Sequence, residues 1–132
     1  MSTPIVTIDQ VSKSYVSQGK ESLVLNNISF GIEKGEIISL LGKSGCGKST
    51  LLNCIGGFEP VNSGRVLLDN QEVKKPSKRC VMLMQNYGLL PWRSVRKNVE
   101  LALESESLSK KEIITRANYY LEMVGLADRV NA

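Results

Sequence analysis

The stretch Leu40 to Leu52, LLGKSGCGKSTLL, limits what this chain can fold into more than any other part of it. Gly42, Gly47, Lys48 and Ser49 fit the pattern GxxxxGK[ST], placed after the apolar run EIISLL and before Leu51, Leu52 and Ile55 at helical spacing. A chance match in a chain of this length has odds of roughly half a per cent, and the order of strand, glycine loop and helix narrows it further. Glycines let the backbone curl with no Cβ in the way, so successive N–H groups converge on one anion. The helix after the loop adds the positive end of its dipole. The pattern predicts an α/β fold with a phosphate-binding loop at its centre.

Within that loop the expected cradle runs through Gly42, Ser44, Gly45, Cys46 and Gly47. Lys48 supplies a mobile full charge for β- and γ-phosphates, the Ser49 hydroxyl is placed to ligate Mg²⁺, and Thr50 can bond an α-phosphate oxygen. Lys43 sits at a free position and reads as a solvated loop charge. Cys46 is also at a free position, where a small residue fits. A thiol beside a nest of N–H groups and Lys48 is expected to be reactive, so that its alkylation would block nucleotide binding.

The rest of the composition sets limits. The 132 residues make one ordinary domain, 42% hydrophobic and 23% charged, as a globular protein with a core requires. Lys and Arg outnumber Asp and Glu by 17 to 13, in two basic loops, 74–79 and 93–97, an excess too mild to argue for nucleic acid as a partner. Three cysteines without a CxxC pair, and no histidine, make zinc sites and disulfide frameworks poor readings and point to a reducing cytoplasm. No apolar run approaches the ~18 residues that cross a bilayer, and the polar start MSTPIVTIDQ lacks a secretory pattern. Any membrane connection is therefore expected to go through a partner protein.

Along the chain, Ile5 to Asp9 and Ile28 to Ile32 read as strands with the loop SQGKES between them. EIISLL lacks alternation and suits a strand covered on both faces. Arg65 to Asp69 and Cys80 to Met84 are further strand candidates, separated by a polar, lysine-rich loop. Beyond Gln85 the pattern turns helical. Ser94 can cap a helix whose Val95, Val99, Ala102 and Leu103 share a face, and Ser109 with Glu112 makes a capping box. From Lys110 the apolar residues Ile113, Ile114, Ala117, Tyr120, Leu121 and Val124 form one stripe that Gly125 ends.

The residues Leu25 to Asp69, from LNNISFGIEKGEIISLLGKSGCGKST to SGRVLLD, closely resemble the nucleotide-binding subunit of ATP-binding cassette (ABC) transporters. MQNYGLLPWRSVRKNVELAL, Met84 to Leu103, is similar to that family's Q-loop region in importers for nitrate, sulfonate, taurine and related compounds. The resemblance covers nearly the whole chain and implies the P-loop NTPase fold of ABC ATPases. It implies an N-terminal antiparallel β subdomain, the P-loop core, and the start of a helical subdomain. By position, residues 1–90 would form the ATP-binding core and 91–132 the beginning of the helical part.

Gln85 would then be the Q-loop glutamine, touching Mg²⁺ and the attacking water and linking the site to the membrane subunit. Tyr15, in the first loop, would stack on adenine. Tyr87 to Trp92 would face the membrane subunit, although Trp92 can equally pack inside. The resemblance implies ATP and Mg²⁺ as ligands. As partners it implies a transmembrane permease, a second copy of the subunit and, indirectly, a periplasmic or surface solute-binding protein. The place implied is the cytoplasmic face of the cell membrane.

Met84 stands where the family often has phenylalanine, a volume-tolerant swap. The larger departure is that the chain holds no LSGGQ signature, no apolar strand ending in Asp-Glu, and no histidine for a switch. The expectation is an N-terminal portion of an importer subunit that binds nucleotide weakly and hydrolyses it near background. It also leaves EIISLL with an unpaired apolar edge, which invites aggregation. A non-catalytic interaction module and another P-loop NTPase or kinase remain as alternatives. The missing [NT]KxD and DxxG motifs count against a GTPase.

Overall fold

A computed structural model describes residues 3–132, so that Met1 and Ser2 of the polar start lie outside the described residues. The chain divides into two units, one ending at Met82 and the other running Leu83–Ala132. In the first, β1 (Val6–Ser17) and β2 (Lys20–Ile32) make a long antiparallel hairpin. The stretch SQGKES, expected as a loop, is mostly ladder: only Gln18 and Gly19 turn the chain, both with positive φ, 50° and 75°. Two left-handed residues match the twist of the flanking strands, and that lets the hairpin extend past the apolar residues that signal it.

The ladder is interrupted by bulges. At one, Gln10 adopts φ 49° and its N–H donates to Ser29 Oγ at 2.8 Å; at another, Asn27 donates to Ser12 Oγ at 2.9 Å. Serine hydroxyls thus take backbone donors that the ladder releases. β3 (Ser63–Leu68) pairs antiparallel with β1, and a short β4 (Gln71–Glu72) follows through the left-handed pair Asp69 and Asn70. The sheet order is β2-β1-β3-β4. β4 falls in a segment expected as loop; two residues carry too little periodicity to signal it.

The helix after the glycine loop, α1 (Lys48–Gly56), lays Leu51 and Cys54 on this sheet. They join Ile8, Val11, Leu25 and Val66 in the buried core. Each fully buried aliphatic side chain contributes about 1.5–3 kcal/mol. Gly57 caps α1 with φ 82°, its N–H reaching Cys54 O at 3.2 Å.

Two expected strands are absent among the described residues. EIISLL and CVMLM lie outside any ladder, and Ile37, Leu41, Val81 and Leu83 are 93%, 93%, 88% and 87% exposed. A strand of a parallel sheet gets its hydrogen bonds only from lateral neighbours, and none of the described strands lies beside either segment.

In the second unit, α2 (Val95–Glu100) is capped by Ser94 Oγ, which accepts from Lys97 N–H at 3.2 Å. The N–H groups of Val95 and Arg96 donate to Ala132 O and Val130 O at 2.8 and 3.0 Å. The last turn tightens to 3₁₀ over Leu101–Leu103, one turn earlier than the shared apolar face suggested. Glu100 is buried beside the ammonium of Lys97 at 3.1 Å and Arg96 Nε at 3.2 Å. α3 (Lys110–Met123) carries both halves of the capping box, Glu112 N–H to Ser109 Oγ and Ser109 N–H to Glu112 Oε2. Of its apolar stripe, Ala117 and Leu121 are buried while Tyr120 and Val124 stay exposed.

Candidate functional site

The loop from Gly42 to Gly47 and the first turn of α1 bring Gly42, Ser44, Gly45, Cys46, Gly47, Lys48, Ser49 and Thr50 together. Gly47 is the N-cap, with φ 103°, and a Cβ there would press on Val24 Cγ1 at 3.0 Å and Val24 O at 3.1 Å. The position therefore needs glycine twice over, for its dihedral and for its closeness to β2. Gly42 has the other kind of constraint: a Cβ would meet Cys46 Sγ at 2.6 Å, because the Cys46 side chain folds across the loop.

α1 starts without a side-chain cap and without an acidic residue in its first turn. Its leading N–H groups are thus left for an outside acceptor, with the dipole's positive end behind them. The Lys48 ammonium lies in the same loop, donating to Gly42 O and, at 3.2 Å, to Lys43 O. Uncapped helix N–H groups with a flexible cation beside them suit a polyanion of phosphate size.

A divalent ion suits this donor set only in company with phosphate. Ser49 is exposed, and the described residues hold no group of three or more His, Cys, Asp or Glu that could hold a metal ion. Mg²⁺ is commonly held by few protein ligands, with phosphate oxygens and waters completing its shell. Ser49 can supply one such oxygen.

Tyr15, expected in a loop, stands in β1 opposite Ser22, on the hairpin whose Val24 abuts Gly47. Lys13 is buried two residues earlier, with its ammonium 5.2 Å from the Tyr15 ring centroid and 3.6 Å from Glu59 Oε2. Sequence reading missed Lys13; the only signal was its i, i+2 spacing from Tyr15 in a strand. Cys54 lies near this pair, and burial pushes its thiol up, with Lys13 lowering and Glu59 raising it to smaller extents.

Gln85 belongs to the second unit and is exposed in a turn. Beyond it, Trp92 is 78% exposed, so its alternative of packing inside is not taken. Leu89, Leu90, Pro91, Arg93, Val99 and Leu121 are among the residues that line an apolar groove of about 630 Å³. Among the described residues no helix is long and apolar enough to cross a membrane.

These features have counterparts in known proteins. The sequence model of the ABC transporter family matches residues 25–131. The chain is 41% identical over 124 residues to a bicarbonate transport ATP-binding protein, CmpC, of Synechococcus elongatus, covering 92% of this chain and 19% of that one. It is 36% identical to a nitrate import ATP-binding protein, NrtD, of the same species, covering 97% and 47%. It is 37% identical to a taurine import ATP-binding protein, TauB, of Pseudomonas aeruginosa, covering 93% and 47%. The chain thus spans about half the length of the last two relatives and about a fifth of the first. Among solved structures, the ATP-binding cassette MJ0796, in a dimeric post-hydrolysis state bound to ADP and Pi, superposes with a TM-score of 0.81 at 30% identity. That likeness covers 96% of this chain and 60% of the cassette, so the fold is part of the ABC ATPase fold.

Proposed function

Because the chain belongs to the ABC transporter family, we propose that it is the ATP-binding portion of an importer subunit, driving solute uptake through a membrane partner. The observation that carries this reading is the convergence of an uncapped, acid-free α1 N-terminus with the Lys48 ammonium in one glycine loop. In it, the loop of Gly42, Ser44, Gly45, Cys46 and Gly47 orients the phosphates, Lys48 neutralises the β- and γ-phosphates, and Thr50 bonds near the α-phosphate. Ser49 would hold Mg²⁺, and the family likeness gives Gln85 the same role; the ion would supply charge neutralisation. Tyr15 is the platform for adenine. Residues 1–90 form the nucleotide-binding core and 91–132 the start of the helical part.

Gln85 touches the attacking water in this scheme, yet the 132 residues contain no signature, no Asp-Glu after an apolar strand and no histidine. A general base is usually worth ~10²–10⁴ in rate, so these residues alone bind ATP weakly and turn it over near background. Two copies of the subunit, a permease and, through it, a solute-binding protein complete the assembly on the cytoplasmic face of the membrane. The exposed Tyr87 and Trp92, beside the groove at Leu89 and Leu90, support that stretch as the permease contact.

The experiment is nucleotide binding and hydrolysis by the 132-residue chain. Lys48→Ala is expected to weaken ATP binding at least tenfold, as the loss of a charge-assisted contact implies. Unchanged binding in that variant refutes the site. Turnover typical of intact transporter ATPases, lost on Lys48→Ala, refutes the expectation of background hydrolysis.

A further inference from the structure

Lys13 is an unusual lysine. It is 7% exposed, in a strand, and its ammonium has two neighbours: Glu59 Oε2 at 3.6 Å and the Tyr15 ring, whose centroid is 5.2 Å away. Burying an ammonium is costly unless a carboxylate and polarisable groups surround it. Glu59 follows the C-terminus of α1, where its own N–H and that of Phe58 donate to Asn53 O. The carboxylate is therefore anchored by the helix that begins at the glycine loop, and through Lys13 it is tied to an aromatic ring on β1. The ring itself remains 37% exposed. Val24 and Leu25 of β2 abut the N-cap Gly47, so the hairpin touches α1 at its beginning while Lys13 and Glu59 bridge to its end.

We propose that Lys13 is a positioning residue for base recognition, its buried ammonium holding the Tyr15 ring from one side and, through Glu59, fixing that ring relative to the phosphate loop. The proposal rests on the reading of Tyr15 as the platform for the nucleotide base. A cation set against an aromatic face restricts the ring without contacting the ligand, so its removal weakens binding only of ligands that carry a base.

The test measures, by calorimetry in Mg²⁺, the affinities of ATP and of inorganic tripolyphosphate for the 132-residue chain and its variants. Lys13→Met is expected to lower ATP affinity about fivefold to tenfold and leave tripolyphosphate unchanged. Lys13→Arg, which keeps a cation, restores ATP binding, and Lys13→Met has no further effect on ATP once Tyr15→Ala is present. Glu59→Gln keeps the ammonium and removes its anchor; a smaller loss confined to ATP is expected. Equal losses for both ligands, or no loss in Lys13→Met while Tyr15→Ala is selective for ATP, overturn the role of Lys13. If Lys13→Met does not fold, unchanged ATP affinity in Glu59→Gln overturns it. If Tyr15→Ala leaves the preference for ATP over tripolyphosphate intact, or the wild-type chain does not bind ATP, the platform reading itself falls and the proposal with it.

Discussion

Replacing Asn98 by alanine should loosen one loop selectively, and the size of the effect follows from its hydrogen bonds. Asn98 Oδ1 accepts from Leu90 N–H at 2.8 Å, while Nδ2 faces Leu90 O, Arg93 O and Ser94 O at 3.1, 3.2 and 3.1 Å. Two protons among three carbonyls make about two effective donated bonds, so with the accepted one some three bonds close the turn 90–93 onto α2. At a net ~1 kcal/mol each, discounted because Asn98 is half-buried and water can replace part of the set, the loss is about 2 kcal/mol. That corresponds to roughly thirtyfold faster exchange of the Leu90 amide if local opening limits it. Trp92, the only tryptophan, lies in this turn, so its fluorescence anisotropy should fall in Asn98→Ala. Asn98→Asp keeps an acceptor for Leu90 but turns a carboxylate oxygen towards three carbonyls, and should cost at least as much. Unchanged Leu90 exchange and Trp92 anisotropy in Asn98→Ala would refute this account of how the loop is held.

Three further outcomes follow from single sites. Gly64 has φ 77°, and a Cβ there would overlap the backbone carbonyl of Gln10, so Gly64→Ala should cost about 3 kcal/mol by urea unfolding; a cost below about 1 kcal/mol contradicts the β1–β3 register. Ser109→Ala removes the capping box of α3 and should cost about 1 kcal/mol with a measurable loss of helical dichroism; an unaltered spectrum and midpoint count against it. Burial raises the Cys54 thiol, so the unfolded chain releases that proton first as pH rises. The Cys54 contribution is then complete below the ordinary thiol range and declines from there up to its raised folded value. Cys54→Ala should flatten that alkaline decline, and a thiol reagent should label exposed Cys46 well before buried Cys54.

What could be read without coordinates depended on short range. The site residues of the loop all fall within the nine-residue stretch from Gly42 to Thr50, so their spacing alone announced a phosphate cradle. The caps at Ser94 and Ser109 act within one helical turn, and both form as their sequences suggest. The apolar alternation of Ile28 to Ile32 likewise found its strand, because period two is a property of one segment.

Tertiary structure decided whatever needed a distant partner. Tyr15 moved from loop to strand because the ladder with Ser22 extends the hairpin beyond its apolar signal. EIISLL and CVMLM carry strand composition but lie beside no described strand, and a backbone cannot form a ladder alone. Lys13, Tyr15 and Glu59 became one cluster only when α1 packed on β1 and β2, since no local periodicity relates a strand lysine to a glutamate beyond a helix. The sequence by itself therefore determined the chemistry of the phosphate loop, whose donors are local. Folding alone decided what surrounds it, because burial and lateral pairing belong to the neighbours a residue acquires.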